Sequence, residues 1–409
     1  MSSATVADQS KTVLLFCFLT ALCEGIDLQA AGVAAVGISA EFSPTAVQKS
    51  WFFSASTIGL TLGALMGGRA ADRVGRKLIL VWSVAVFGLF SLLTPVAWDM
   101  VSLTAARLLT GLGLGGALPN MIALVAESSP ENRHKANVAL VYSGTPLGGA
   151  LASMVSMYSG AESWRIVFVL GGVLPLLIAL LMNKLIDESA EFKAYKNSLQ
   201  RADMPKDNHW LAVLDDGRAL RSILLWVAFF LGLLTLYLLL NWLPTLLVAV
   251  GFSRTQAAAA QIALNIGGFA AALAVGRCME TRWRQASVIA TFVALPIMIL
   301  VLGRITTASS LGYMIGVATL LGCAIVAAQA ILYAFAPALY PTAIRGMGVG
   351  TAVAVGRVGS IVGPLAVPFL VSGSGVIDAQ VLLKLLPIVV ICGVSAIALS
   401  RLIARPVRG

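Results

Sequence analysis

The chain has 409 residues, 59% hydrophobic and 11% charged, with a formal net charge of +10 and a mean hydropathy of +0.92. Soluble domains carry about 25% charged residues, so a soluble globular protein is excluded. So is a membrane enzyme or sensor with a soluble catalytic domain, because no polar stretch is long enough to build one.

Windows of about 20 apolar residues mark membrane-spanning helices. In chain order they fall near 12–38, 50–70, 78–98, 101–124, 135–157, 164–184, 220–247, 256–276, 286–303, 309–335, 345–370 and 378–401. The first run is too long for the core of a signal peptide and is read as a retained helix. It contains "ALCEGIDLQAAG", with two acids, Glu24 and Asp27, where lipid is expected. Span two ends in "GGRAADRVGRK". Span four carries Arg107 and the glycines Gly111, Gly113, Gly115 and Gly116, which allow close helix approach. Span five holds Tyr142, and "YSGTPLGGALAS" there suggests a bending helix. The stretch 185–219 is the one long polar segment, read as a cytoplasmic linker without chemistry. It divides the chain into six-helix halves, 1–184 and 220–409. Tyr237 and Asn241 share a face of span seven at i, i+4. Asn265 lies in span eight, Gln329 and Tyr333 in span ten, and Arg357 in "GRVG" of span eleven.

Lys and Arg set the orientation. Outside segments hold only Lys49, Arg165, Arg254, Arg304 and Lys384 if both termini are cytoplasmic. The positive charge is therefore topology, and no nucleic-acid partner is expected. The five cysteines lie in or beside apolar runs without a CxxC pair, and His134 and His209 fall in polar loops. No metal site and no cofactor are expected. The halves also repeat. Gly68, Arg69, Asp72 and Arg76 match Gly276, Arg277, Glu280 and Arg284 at one constant offset, and "PENR" is answered by "PTAIR". A duplicated transporter leaves this trace. The expected fold is an all-α membrane protein of twelve transmembrane helices in two six-helix pseudo-repeats.

Gly68-x-x-x-Asp72-Arg73-x-Gly75-Arg76-Lys77 resembles the signature loop of the major facilitator superfamily. Arg107-x-x-x-Gly111-x-Gly113 resembles its proton-porter motif. Within the superfamily, "EGIDLQAAG" is similar to the Asp-Gly-x-Asp motif of the aromatic acid:proton symporters. Glu24 stands where Asp is commoner, as in the hydroxyphenylpropionate branch. The second loop departs from the pattern, with Thr281, Trp283 and Gln285 in place of Arg, Gly and Lys. The resemblance implies a cytoplasmic gate at Gly68, Asp72, Arg73, Gly75, Arg76, Lys77 and Glu280. Asp72 is placed to meet a positive helix N-terminus of the other half, and Arg73, Arg76 and Lys77 to bind acids across the seam. A positive-inside anchor is the alternative, and both can hold.

Among Asp, Glu, Lys and Arg, only Glu24, Asp27, Arg107 and Arg357 fall well inside spans. Counted from Lys11 and Arg345 at ~1.5 Å per residue, Glu24 and Arg357 lie ~18–20 Å deep. Each buried charge costs roughly 2.5–3.5 kcal/mol. Pairing alone repays this poorly compared with apolar packing, so function is the better account. Glu24 and Asp27 share a helix face, and two close carboxylates in a low dielectric do not both ionise easily. They make a natural proton carrier, Asp27 first because it matches the motif in identity. Arg107 is expected to organise that site. Arg357 offers a fork for a carboxylate, or else a partner for the acids of span one. Tyr142, Asn241, Asn265, Gln329 and Tyr333 can hydrogen-bond a substrate, or merely another helix.

The expected function is uptake of an aromatic carboxylate with protons, the proton being the coupling ion, by a monomer in the bilayer of a bacterial inner membrane. Proton-driven drug efflux on the same fold is the alternative, disfavoured by the central Arg357.

Overall fold

The structure, a computed structural model, describes residues 3–129, 134–159, 164–186, 188, 213–215, 218–279, 281–340, 344–370 and 380–404. Among these residues there are twelve long helices and no strand. In order they are α1 (Ser3–Phe42), α2 (Ala46–Val74), α3 (Arg76–Leu93), α4 (Met100–Ser128), α5 (His134–Ser159), α6 (Arg165–Leu185), α7 (Ala219–Val250), α8 (Arg254–Met279), α9 (Arg284–Leu302), α10 (Leu311–Leu339), α11 (Arg345–Leu370) and α12 (Leu386–Ala404). A five-residue helix, Gln380–Lys384, leads into α12, and a 3₁₀ turn, Thr94–Val96, follows α3. Each of the first eleven predicted spans falls on one long helix, and the described part of the twelfth on the five-residue helix and α12. On their described residues, ten helices are long and apolar enough to cross a membrane. Most of the predicted linker lies outside the described residues.

Capping explains several helix ends. Thr45 and Gln48 form a reciprocal capping box at the start of α2, with Gln48 N donating to Thr45 Oγ1 at 3.2 Å and Thr45 N to Gln48 Oε1 at 2.9 Å. Asp99 Oδ1 accepts from Ser102 N at 2.7 Å at the start of α4. The Ser102 hydrogen bonds hold the Asp99 carboxyl below its usual range.

The chain forms two compact units, residues 1–205 and 206–409. In the first, α1 packs on α5, α2 on α4, and α3 on α4 and α6; in the second, α7 packs on α11, α8 on α10, and α9 on α10 and α12. The second unit thus repeats the pairing of the first six helices later. Large apolar side chains such as Trp82, Leu177, Leu180, Leu320 and Val394 stand exposed on helix surfaces. Lipid is the solvent that tolerates such a surface without aggregation.

Glycines let the paired helices touch backbone to backbone. A Cβ on Gly111 of α4 would lie 1.9 Å from Ser56 O of α2, and one on Gly25 of α1 would lie 1.9 Å from Thr145 O of α5. Backbone cannot yield as a flexible side chain does. Gly111→Val is therefore expected to cost more than the about 1–3 kcal/mol of ordinary overpacking, while Gly316→Ala, with no atom within 4 Å of its Cβ, should cost almost nothing. Thermal midpoints of the two variants in detergent check the contrast; equal midpoints would refute the close approach.

Candidate functional site

Asp27 is fully buried on α1 at 0% exposure, and so is Arg107 on α4. They meet in a bidentate pair. Arg107 Nη1 donates to Asp27 Oδ1 at 2.7 Å and Nη2 to Oδ2 at 2.9 Å. Nη2 also reaches the Asp27 carbonyl at 3.1 Å and Ser56 Oγ of α2 at 3.3 Å. The guanidinium lies over the Phe168 ring of α6, 5.4 Å from its centroid. Ser91 of α3 donates to Asp27 Oδ1 at 3.0 Å, with the Phe168 carbonyl as its second acceptor at 3.3 Å. Five helices, α1, α2, α3, α4 and α6, thus contribute to the network around this pair. Gly171 supplies room: a Cβ there would lie 3.1 Å from Ser91 Oγ.

The pair has a physical logic. Two isolated charges in a low dielectric are untenable, while a bidentate pair with further donors is tolerable. It remains a poor stabiliser beside apolar packing, and the carboxylate is the member that can accept a proton. Glu24 is also buried, at 4% exposure, one turn from Asp27 on the same helix.

At the far end of α1, Glu41 accepts from Arg165 Nη2 at 2.6 Å, from Nη1 at 2.8 Å and from Trp164 Nε1 at 2.8 Å. Arg165 Nε donates to Pro95 O at 2.9 Å. Trp164 stands edge-on to Phe168, ring centroids 5.8 Å apart. This clasp of α1, α3 and α6 escaped the sequence reading because its charges sit at helix ends, where any membrane protein carries them. Ser56, Ser91 and Phe168 escaped it too, since serines and phenylalanines are ordinary in apolar spans.

In the second unit, Arg357 of α11 is half-buried, and its Nη1 donates to the Tyr237 hydroxyl of α7 at 3.1 Å. Asn241 and Asn265 are buried, but their amides donate to carbonyls of their own helices, Asn241 Nδ2 to Tyr237 O at 2.8 Å and Asn265 Nδ2 to Gln261 O at 2.9 Å. Tyr333 packs edge-on against Phe229, 5.1 Å between centroids. Gln329 is 6% exposed with no hydrogen-bond partner at either amide atom. Tyr142 is 39% exposed on α5. An apolar groove along α7 and α11, lined by Ile223, Trp226, Val227, Phe230, Leu231 and Val355, offers nothing to an anion.

Of the predicted gate, the surroundings of Gly68, the side chains of Asp72 and Arg73 and all of Glu280 lie outside the described residues. Lys77 makes its contacts within its own unit: Nζ donates to Asn183 O at 3.0 Å and the amide to Glu188 Oε1 at 3.1 Å. Arg76 opens α3. Gly75 breaks α2 from α3 at φ 122°, ψ 147°, and its amide closes α2 by donating to Ala71 O at 2.9 Å. Only glycine adopts that conformation freely. Gly75→Ala should cost about 1–3 kcal/mol of backbone strain and lower both folded yield and transport. An unchanged thermal midpoint would show that the corner re-forms without it.

A model of the Major Facilitator Superfamily matches residues 17–364. The 3-(3-hydroxy-phenyl)propionate transporter of Escherichia coli (strain K12) is 41% identical over 384 residues, 93% of either chain. The 4-hydroxybenzoate transporter PcaK of Pseudomonas putida is 34% identical, over 86% of this chain and 84% of its own. Among solved structures, a D-xylose-proton symporter superposes with a TM-score of 0.77 at 17% identity, over 94% of this chain and 96% of its own, which speaks to the fold alone. On the family match and the 41% identity, the protein belongs to the Major Facilitator Superfamily, in the group of transporters that these aromatic-acid carriers form.

Proposed function

We propose that the protein imports an aromatic carboxylate together with protons by alternating access, acting as a monomer in a bacterial inner membrane with both termini cytoplasmic. The observation that carries the coupling is the fully buried Asp27–Arg107 pair. Its carboxylate takes the proton, and Arg107, Ser91 and Ser56 hold it in place. When Asp27 is protonated, Arg107 loses its counter-charge and part of its bidentate hold. That change in bonding between α1 and α4 is the free-energy difference a conformational step needs. Glu24 is the second carboxylate of the site.

The substrate class draws on the relatives, whose names give hydroxyphenylpropionate and 4-hydroxybenzoate as cargo. Arg357 fits that class, since a guanidinium fork matches the two oxygens of a carboxylate. An arginine inside a span disfavours export of cationic drugs. The test is uptake of radiolabelled benzoate-, phenylpropionate- and cinnamate-type acids into cells producing the protein, with and without a protonophore. Accumulation of at least one acid, collapsed by the protonophore, is expected. Accumulation that survives it would refute proton coupling, and none with any acid would refute the substrate class.

A further inference from the structure

We propose that Ser91 is the acceptor for the proton carried by Asp27, and that its own hydroxyl hydrogen then turns to the Phe168 carbonyl, so that protonation on α1 is passed to α6. This rests on the reading of Asp27 as the proton-carrying carboxylate. Among the described residues, two groups hydrogen-bond that carboxylate, the Arg107 guanidinium and the Ser91 hydroxyl. A guanidinium has five donors and no acceptor, whereas a serine hydroxyl has one hydrogen and two lone pairs. A carboxylate ringed by donors is well met while it is ionised. Once protonated it carries a donor of its own, and a buried donor without an acceptor is costly. Ser91 is the group in contact that can accept.

The geometry also selects the oxygen. Oδ2 bonds to Arg107 Nη2 at 2.9 Å, while Oδ1 is shared by Arg107 Nη1 at 2.7 Å and Ser91 Oγ at 3.0 Å. A proton on Oδ1 therefore has Ser91 Oγ to bond to, and one on Oδ2 faces a donor. The hydroxyl has a second place for its hydrogen, the Phe168 carbonyl at 3.3 Å. In the ionised site Ser91 donates to Oδ1. In the protonated site Oδ1–H donates to Ser91 Oγ, and Ser91 donates to Phe168 O. Arg107 keeps Oδ2, the Asp27 carbonyl and Ser56. Gly171, one turn beyond Phe168 on α6, leaves the hydroxyl room to turn: a Cβ there would lie 3.1 Å from Ser91 Oγ and 4.0 Å from Asp27 Oδ1. The Phe168 ring also lies under the Arg107 guanidinium. One residue of α6 thus meets the charge through its ring and the proton through its carbonyl. The charged group on this carboxylate is Arg107, and the other titratable acid of the site is Glu24, buried one turn away on α1.

The test is infrared difference spectroscopy of the purified full-length protein over a pH series, following the carboxyl C=O band that Asp27→Asn lacks. Ser91→Ala should need about tenfold more protons to raise that band, a downward shift of its midpoint by about one pH unit. The protonated form loses its acceptor, while the ionised form keeps both bonds from Arg107. A serine that merely donated to the carboxylate would give the opposite sign, because its loss would weaken the ionised form. Ser91→Cys, of similar shape and with a weaker acceptor, should shift the midpoint in the same direction and decides the matter if the alanine variant does not fold. A midpoint that stays in place or moves upward overturns the proposal and leaves Asp27 as the proton site. Absence of any Asp27 band in the wild type removes the underlying reading as well.

Discussion

Asp27→Asn is expected to abolish concentrative uptake while the protein still reaches the membrane. The reason lies in what the substitution leaves behind. Asparagine keeps the shape and one acceptor oxygen, but it can neither take up nor release a proton. Arg107 then stays charged at 0% exposure without its counter-ion. Leaving one partner of a buried pair uncompensated costs on the order of 3–5 kcal/mol, so loss of stability has to be separated from loss of coupling. Detergent thermal midpoints and membrane abundance read the first. Uptake with and without a protonophore reads the second. Arg107→Lys gives an independent control: it keeps the positive charge but cannot make both bonds to Oδ1 and Oδ2. It should slow transport without matching the loss in Asp27→Asn. Glu24→Gln should also be damaging, with Glu24→Asp better tolerated because the charge is kept. Normal accumulation by Asp27→Asn would remove this carboxylate from the mechanism.

The membrane makes some of this legible from sequence and hides the rest. Twelve spans could be read because lipid forces each segment to close its own hydrogen bonds over a fixed thickness. Proline does not interrupt the pattern; Pro146, Pro175, Pro244 and Pro296 all lie inside helices. Helix ends were less legible, since hydropathy marks contact with lipid and not helicity. Thus α1 starts at Ser3, ahead of the apolar run that begins near Thr12. The four charges inside spans were readable because each is costly. Arg107 was expected at the acid site, but its bidentate bond to Asp27, 80 residues away in sequence, is a product of packing that the sequence alone does not show. Ser91 could not have been found. A serine in a span usually bonds back to its own helix, as Ser50 does to Ala46 O and Ser153 to Gly149 O. The same habit explains why Asn241 and Asn265, attractive by residue type, spend their amides locally.

Substrate charge gives the other large effect. An aromatic acid enters as an anion against an inside-negative potential, at ~2.3 kcal/mol per charge per 100 mV. One co-transported proton makes the step electroneutral, and two make it inwardly driven. The anion itself needs a fixed positive partner. Arg357 is placed firmly enough to serve: Gly359 and Gly363 bring α11 against carbonyls of α7, and Nη1 rests on the Tyr237 hydroxyl. We therefore expect Arg357→Ala to bind substrate at least tenfold to a hundredfold more weakly, and Arg357→Lys to fall between it and the wild type, since lysine keeps the charge and loses the fork. The amide analogue of the substrate should bind the wild type poorly, because it lacks the charge that the guanidinium would meet. The deciding comparison is acid against amide on both proteins. Arg357→Ala should erase the wild type's preference for the acid. If instead it weakens both ligands equally, Arg357 serves to hold Tyr237 and α7 in place, and the anion is bound elsewhere.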